Sequence, residues 1–281
     1  MLRVLLNRFH EGSIETLLHP LPEEDVQNIL RTEIVSKEIH PALARPGEVL
    51  SKIHYTWLSA PLLRFPEALQ PYLLGSLEEI QCKKMISFLN FRTKIPKLSS
   101  FSRRYFQDLL YTACDLEEIL PIEYLPQHSL TPLAAYDKQE LIKVIDLLGT
   151  YDLCAEIRQQ ISKKKINLIY NALPEHAQQF LKIAFHQQDK LTPYVLGTEL
   201  WNGDKAKLMN RLQRAGMRRL SFACIDLHPD ILWHITHTLD QGRGSIIKRD
   251  IPQEPKKGIS PAVIVQTVNT MKFLEKSGAE L

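Results

Sequence analysis

Long apolar runs are missing from this chain of 281 residues. Apolar stretches such as Ala262-Val263-Ile264-Val265 are far shorter than the roughly 18 residues that a membrane-spanning helix requires. The opening segment Met1–Leu6 is followed at once by polar residues, so it is too short for the apolar core of a signal peptide. We therefore expect no membrane insertion and a protein that stays in the compartment where it is made.

Cysteine is also scarce. The four cysteines are at least 30 residues apart, and no Cys-x-x-Cys pair occurs. This spacing argues against a disulfide framework and against a zinc site, and it favours structural thiols in a reducing cytosol. The cysteines are Cys82, Cys114, Cys154 and Cys224.

The glycine-rich signatures of cofactor binding and catalysis are absent from the sequence. It contains no phosphate-binding loop, no dinucleotide fingerprint and no Gly-x-Ser-x-Gly elbow. Three histidines, His228, His234 and His237, form the best metal candidate, but a helix would separate the outer two by about 13 Å. We therefore expect no catalytic residue, no metal, no cofactor and no enzymatic activity.

Hydrophobic residues make up 44% of the chain and charged residues 24%, which is typical of an ordered globular protein. Apolar residues recur at helical spacing almost throughout, and alternating strand patterns are rare, so the predicted fold class is all-α. Proline is expected near helix starts and glycine at helix ends, with helices of roughly 9 to 17 residues between them. The expected starts are Pro22, Pro66, Pro174 and Pro229, and the expected ends are Gly75, Gly149, Gly216 and Gly242.

Several short helices are predicted to form pairs. Ile53–Leu74 would pair with Ser76–Asn90, and Leu173–Gln187 with Leu191–Leu200. The pairs show no fixed period, so irregular multi-helix domains are the first interpretation, and repeat-like stacking is the alternative.

Proline-rich breaks divide the chain into three parts. Because Pro121–Pro132 contains three prolines and cannot form one helix, the main division is placed after Pro132. The expected parts are an N-terminal helical domain at 1–132, a C-terminal helical domain at 133–250, and a linker with an amphipathic helix at 251–281. This last helix would start at Ser260 and pack either on the body of the protein or on a partner. One side of it would present Ile264, Val268, Met271 and Leu274 or Glu275.

Net charge is +3 but unevenly distributed, because residues 151–281 carry 19 Lys and Arg against 13 Asp and Glu. Two helices, Lys205–Ala215 and Met217–Ile225, are predicted to meet at Gly216 in a helix-turn-helix-like pattern. The carboxylates nearby, Asp204, Asp230 and Asp240, are too few to pair every arginine of this region. The proposed partner-binding arginines are Arg211, Arg214, Arg218, Arg219 and Arg243.

This basic region has two functional interpretations. The leading one is a surface that docks an acidic patch on another protein, because arginine is enriched at interface hot spots. The alternative is nucleic-acid binding through residues 205–219. We favour it less, because the sequence pI of about 8.6 is mild and no aromatic residues are interleaved to stack bases.

The most distinctive residues resemble a known family. They lie in Trp201-Asn202-Gly203-Asp204-Lys205, in Arg211–Gly216 and in His228–Gly244, with a second stretch at His54–Leu58 and Phe65-Pro66-Glu67. These segments are similar in sequence to SctK, a cytosolic accessory protein of bacterial type III secretion systems, in the long form found in chlamydia-like bacteria. The motif residues on which the resemblance depends are Trp57, Trp201, Gly203, Asp204, Pro229, Trp233 and Gly242.

The resemblance implies a non-enzymatic adaptor of the sorting platform, the assembly beneath the secretion apparatus. Such proteins are thought to link the inner-membrane ring protein SctD to the pod protein SctQ, and an SctL-like protein is a further candidate partner. The implied location is the cytoplasm, peripheral to the inner membrane through protein partners. A generic helical interaction scaffold outside secretion is the remaining alternative.

Overall fold

The structure is a computed structural model that describes residues 18–31, 46–116, 119–186, 191–253 and 258–278. Secondary structure in these ranges is helical, with no β-strand, which confirms the predicted all-α class. The chain divides into two compact units, Met1–Gln127 and His128–Leu281. None of the described helices is both long enough and apolar enough to span a bilayer.

The first unit is built from short helices that share one apolar core. Helix α6 packs against α2 and α4, and α3 packs against α5. Leu62, Leu73 and Leu110 are fully buried between them, which compensates for helices too short to be stable alone. The helices are α1 (Glu23–Arg31), α2 (Pro46–Lys52), α3 (Tyr55–Leu63), α4 (Gln70–Ser76), α5 (Glu79–Leu89) and α6 (Ser100–Ala113), followed by a 3-10 turn at Ile122–Tyr124.

The second unit is organised around two long helices, α7 and α10, which pack against each other along their length. Helices α9 and α13 cover α7, and α13 and α12 also pack on α10. The helices are α7 (Lys138–Gln159), α8 (Lys163–Ala172), α9 (Glu175–Phe185), α10 (Lys205–Ala223), α11 (Pro229–Thr238), α12 (Gln241–Arg249) and α13 (Ile259–Gly278), with 3-10 turns at Thr131–Ala135 and Thr198–Leu200.

Helices α7 and α10 approach each other closely at a pair of glycines. A Cβ atom on Gly149 would lie 2.2 Å from the carbonyl oxygen of Leu212, and one on Gly216 would lie 1.7 Å from that of Ile145. Both distances are far inside van der Waals contact, so only glycine allows the two backbones to pack this closely. The prediction that Gly149 and Gly216 end helices is therefore wrong, because both lie inside long helices.

This close approach also removes the predicted helix-turn-helix pattern. Lys205–Ala223 is a single continuous helix, capped at its start by the Asp204 side chain, which accepts a hydrogen bond from the Lys207 N–H. Gly242 likewise does not end a helix, since it is the second residue of α12 and Asp240 caps that helix. Gly75, in contrast, lies one residue before the end of α4, as predicted.

Proline marks helix starts more reliably than glycine marks helix ends. Pro22 precedes α1, Pro174 is the N-cap of α9 and Pro229 is the first residue of α11, as predicted. Pro66 is an exception, because it begins a turn to Leu69 and α4 starts only at Gln70.

The C-terminal helix α13 packs on the body of the second unit, against α7 and α10. Its buried face contains Val263 and Met271 together with the polar Gln266, Thr267 and Thr270. The predicted apolar face is therefore partly wrong, since Met271 is buried but Ile264, Val268 and Leu274 are only half-buried. Residues 254–257 of the predicted linker lie outside the described residues.

The three tryptophans differ in burial. Trp201 is 9% exposed. An aromatic residue in a helical apolar stripe is expected to be largely buried, but Trp57 and Trp233 are both half-buried. Trp233 stacks on His237, with ring centroids 4.2 Å apart.

Candidate functional site: a basic cleft in the second unit

The first half of α10 places cationic side chains on one helix face. Lys207, Arg211 and Arg214 follow each other at intervals of four and three residues, which brings them onto adjacent turns. On the other side of the same helix, Leu208 and Leu212 are buried against the core. The cationic face, α12 and residues 194–200 bound a cleft of about 690 Å³, which we call the basic cleft.

One wall of the basic cleft is the segment 191–200, which is not the helix that the sequence predicts. The Glu156 carboxylate on α7 accepts hydrogen bonds from the backbone N–H groups of Leu196, Gly197 (2.9 Å) and Thr198 (2.8 Å). A second α7 carboxylate, Asp152, accepts from the Tyr194 N–H at 2.9 Å. The N–H groups that a helix would pair internally are paired here with α7 side chains.

Arg211 holds the same wall from the side of α10. Its Nη1 donates to the carbonyl oxygens of Leu196 at 2.6 Å and Gly197 at 3.1 Å. Segment 194–198 is therefore fixed through its N–H groups by one helix and through its carbonyls by another. This makes the wall a preorganised surface rather than a mobile loop.

The wall also presents apolar side chains to solvent. Val195 is 81% exposed and Leu200 is 92% exposed, and both line the basic cleft. Ile246 of α12 contributes further apolar surface across the cleft. Exposed apolar side chains on a rigid backbone are typical of binding surfaces when they lie together.

Arg243 is anchored at the side of the cleft formed by α12. Its guanidinium bonds the Asp240 carboxylate and donates to Gln213 Oε1 at 3.0 and 2.8 Å. Burial acts to raise the pKa of Asp240, but the backbone N–H and guanidinium of Arg243 outweigh burial and lower it. Asp240 therefore stays ionised, and its charge is already shared by Arg243 and Lys138 (3.5 Å).

Arg214 is the cation of the cleft that remains available. It is exposed and lines the cleft, and no hydrogen bond or ion pair joins its side chain to any residue that the structure describes. Lys207, at the mouth, is 65% exposed and only loosely paired with Asp204 at 3.5 Å. The cleft thus offers positive charge in excess of its own carboxylates.

Arg219 was predicted to belong to the same surface, and that prediction is wrong. Arg219 is fully buried and forms a two-pronged ion pair with Asp152, at 2.9 and 2.6 Å. It also donates to Gln266 of α13 at 2.8 Å and lies 5.4 Å from the Tyr151 ring centre. Its role is to join α7, α10 and α13.

Arg218 also lies outside the basic cleft. It is half-buried, donates to the Thr192 carbonyl oxygen at 3.1 Å and lies over the Phe222 ring. Of the five arginines proposed from the sequence, the structure therefore brings together three in one cleft. These are Arg211, Arg214 and Arg243.

One functional group behind the cleft escaped the sequence analysis. Asp146 of α7 is half-buried, and its Oδ1 accepts a hydrogen bond from Gln213 at 3.3 Å. Burial raises the pKa of Asp146 to about 6, against smaller opposing effects of Gln213 and Arg243. Gln213 thus links the Asp146 carboxyl group, with its pKa of about 6, to Arg243. A lone Asp in an apolar helical stripe was the available sequence signal.

The motif residues near the cleft have structural roles. Trp201 Nε1 donates to the Asp204 carbonyl oxygen at 2.8 Å, and Gly203 adopts φ = 96°, a left-handed turn that favours glycine. Together they fix the start of α10 and hence the position of its cationic face.

The histidines of α11 act in capping and packing. His228 caps the helix by accepting from the Asp230 N–H, and His237 Nδ1 lies 2.8 Å from the Trp233 carbonyl oxygen. Burial lowers the pKa of His237 to about 4. Within the described ranges, no three His, Cys, Asp or Glu side chains lie close enough to share a metal ion.

The basic cleft combines arginine and lysine charge with exposed apolar side chains on a fixed wall. Guanidinium groups keep their protons at any physiological pH, so they are suited to hold anions and not to transfer protons. Comparison of the chain with protein-family models, with curated proteins and with solved structures found no match. The geometry and charge of the cleft are therefore the basis for assigning a function.

Proposed function

We propose that this chain is a non-enzymatic adaptor whose basic cleft binds an acidic segment of a partner protein. The observation that carries the proposal is Arg214, which lines the cleft, is exposed, and pairs with no carboxylate of the described chain. A partner carboxylate placed there would form a two-pronged contact with the guanidinium.

The apolar wall adds to this binding site. Val195 and Leu200 lie beside the cations, so a segment that alternates acidic and apolar side chains would satisfy both parts of the cleft. Because Glu156 and Arg211 already fix the wall, little backbone freedom is lost on binding. Arginine is enriched at interface hot spots, and exposed apolar side chains that lie together mark interaction surfaces.

The similarity to SctK suggests the setting of this adaptor. In that setting the chain lies in the cytoplasm, peripheral to the inner membrane through protein partners, and the acidic segment belongs to an SctD-like or SctQ-like protein. Three of the seven residues that carry the similarity, Trp201, Gly203 and Asp204, fix the start of α10. This position supports a link between the motif and the cleft.

The test is binding of the purified full chain to the SctD-like and SctQ-like proteins of the same organism. The charge-reversal variant Lys207→Glu/Arg214→Glu should bind at least tenfold more weakly than the parent. Both side chains are exposed, so the variant should keep the parent's helical circular dichroism and unfolding midpoint. The matched control is Lys163→Glu/Lys164→Glu, which makes the same charge change on exposed residues of α8.

Two outcomes would count against the proposal. If neither protein binds the parent chain, the secretion setting is wrong. If both bind the cleft variant as tightly as the parent, the basic cleft is a solvated surface and not the docking site. Recovery of nucleic acid that the cleft variant loses would instead support the alternative function at residues 205–219, now without a helix-turn-helix.

A further inference from the structure

The first unit carries a second concentration of positive charge, which is independent of the basic cleft. Between Phe91 and Gln107 the sequence contains five cationic residues and no Asp or Glu. All five are exposed, and none of their side chains has a hydrogen bond or ion pair to a residue that the structure describes. They are Arg92, Lys94, Lys97, Arg103 and Arg104.

The connection between α5 and α6 holds part of this charge in place. Its apolar residues lie against α4, since a Cβ atom on Gly75 would be 3.1 Å from the Pro96 carbonyl oxygen and 3.2 Å from the Ile95 side chain. Ser99 then caps α6 by accepting a hydrogen bond from the Ser102 N–H at 3.1 Å. The exposed lysines therefore extend from a segment that is anchored at both ends.

Two aromatic side chains lie among these cations. Phe101 is 83% exposed and Tyr105 is 53% exposed. They stand four residues apart on α6 and share its outward face, while the same helix buries Leu110 and Tyr111 against the core. Core packing does not account for a phenylalanine on the face that points away from the core.

The aromatic surface continues onto α4. The Tyr105 ring lies against Phe106, with centroids 5.3 Å apart, and Phe106 stacks on Tyr72 at 5.4 Å. Tyr72 is itself 40% exposed. Tyr105, Phe106 and Tyr72 therefore form a continuous aromatic cluster. Together with Phe101 and the five cations, we call it the basic–aromatic surface (Arg92–Phe106 with Tyr72).

We propose that the basic–aromatic surface binds a bilayer surface that contains anionic lipids, with the lysines and arginines on the headgroups and Phe101 and Tyr105 in the interfacial layer. Clustered cations attract anionic leaflets, and aromatic rings favour the headgroup region. An outward helix face suits a flat bilayer. Single-stranded nucleic acid instead binds in grooves that follow its backbone, with bases stacked along them.

The test is flotation of the full chain with vesicles of phosphatidylcholine alone and with vesicles that also contain phosphatidylglycerol. The parent should float only with the anionic vesicles. Arg103→Gln/Arg104→Gln should lower the partition coefficient roughly thirtyfold, since each cation near an anionic surface contributes about a fivefold factor. The matched control Lys163→Gln/Lys164→Gln removes equal charge from the second unit and should float like the parent.

A second pair of variants tests the aromatic contribution. Phe101→Ser should reduce flotation, and the reduction should not depend on salt, because the contribution of the ring is apolar. Ile161→Ser is its control, since Ile161 is 96% exposed on the second unit and should not matter. The cleft variant Lys207→Glu/Arg214→Glu should float like the parent, which separates this proposal from the adaptor function.

The proposal is overturned if the parent does not distinguish anionic from neutral vesicles, or if the arginine variant and its control float equally. It is also overturned if the parent binds single-stranded oligonucleotide but not vesicles and Arg103→Gln/Arg104→Gln abolishes that binding. The basic–aromatic surface would then be a nucleic-acid site.

Discussion

Two halves of the same helix, α10, use the same residue types in opposite ways. In residues 205–214 the cations lie at the surface and line a cleft. In residues 215–223 the helix packs closely on α7 at Gly216. Arg219, which bonds Asp152 of α7, is fully buried there. Arg218 and Arg219 are neighbours in sequence, but successive residues of a helix are rotated by about 100° about its axis. Arg218 therefore contacts the Thr192 carbonyl oxygen at the periphery, whereas Arg219 lies in the core.

The difference shows that the partner of an arginine, and not its sequence neighbourhood, decides its function. Arg219 lies opposite Asp152 because α7 and α10 approach each other over the two glycines one turn away. Arg214 has no such partner in the described chain and remains available to a ligand. The following predictions test this contrast, from the largest effect to the smallest.

The buried half of α10 should be the most sensitive to substitution. Arg219→Ala should lower the free energy of unfolding by about 3 to 5 kcal/mol, because it leaves the Asp152 carboxylate buried without its counter-charge. Urea unfolding followed by circular dichroism measures this. Arg214→Ala, on the exposed half, should stay within about 0.5 kcal/mol of the parent. Equal effects of the two substitutions would remove the contrast between the halves.

The pH dependence of stability should report on Asp146. Its pKa is raised from 3.8 to about 6 in the folded protein, so the folded state binds more protons than the unfolded state between those values. The contribution of Asp146 to stability therefore falls as pH rises from about 4 to about 6, by at most about 3 kcal/mol.

The variant Asp146→Asn isolates this effect, because asparagine keeps the size of the side chain and does not titrate. Relative to the parent, it should be more stable at about pH 7 than at about pH 4, as measured by urea unfolding at both values. A stability difference that does not change with pH would show that Asp146 titrates normally.

The close helix crossing makes a third prediction. Gly216→Ala should destabilise the protein by about 1 to 3 kcal/mol, since the added methyl group meets the Ile145 carbonyl oxygen and one backbone must move. This cost exceeds the roughly 1 kcal/mol that alanine gains over glycine in a helix. At Gly242 the nearest atom is a side-chain oxygen of Asp240 at 3.3 Å, so Gly242→Ala should be neutral or slightly stabilising. Thermal unfolding that ranks the two variants the other way would contradict the close packing.

The smallest effect is expected where α10 begins. Trp201→Phe keeps the aromatic packing but removes the hydrogen bond from Nε1 to the Asp204 carbonyl oxygen, which should cost about 1 kcal/mol. Thermal unfolding measures this loss. A loss as large as that of Arg219→Ala would mean that the exposed half of α10 contributes as much to stability as the buried half.

The class of fold could be predicted from the sequence because apolar periodicity and proline-marked helix starts are local signals. Pro174 and Pro229 show this, since each lies where its helix starts. The roles of Gly149 and Gly216 could not be predicted in this way. A glycine that ends a helix and a glycine that admits a second helix look alike in one sequence, and only the position of the neighbouring backbone separates them.

The candidate site could be predicted in part. Arg211, Arg214 and Arg243 do line one cleft, because residues three and four apart share a helix face and α12 follows in the same unit. The segment 191–200 could not be placed, since its conformation depends on carboxylates 41 and 42 residues earlier in the chain. Arg219 was misplaced because its partner, Asp152, is 67 residues away.

The wall of the basic cleft has a consequence for how this protein can diverge. Its backbone is held by Glu156 and Arg211, which belong to the helical scaffold, through main-chain N–H and C=O groups that every residue type except proline possesses. Mutations at Val195 and Leu200 can therefore alter the surface offered to a partner without altering its shape.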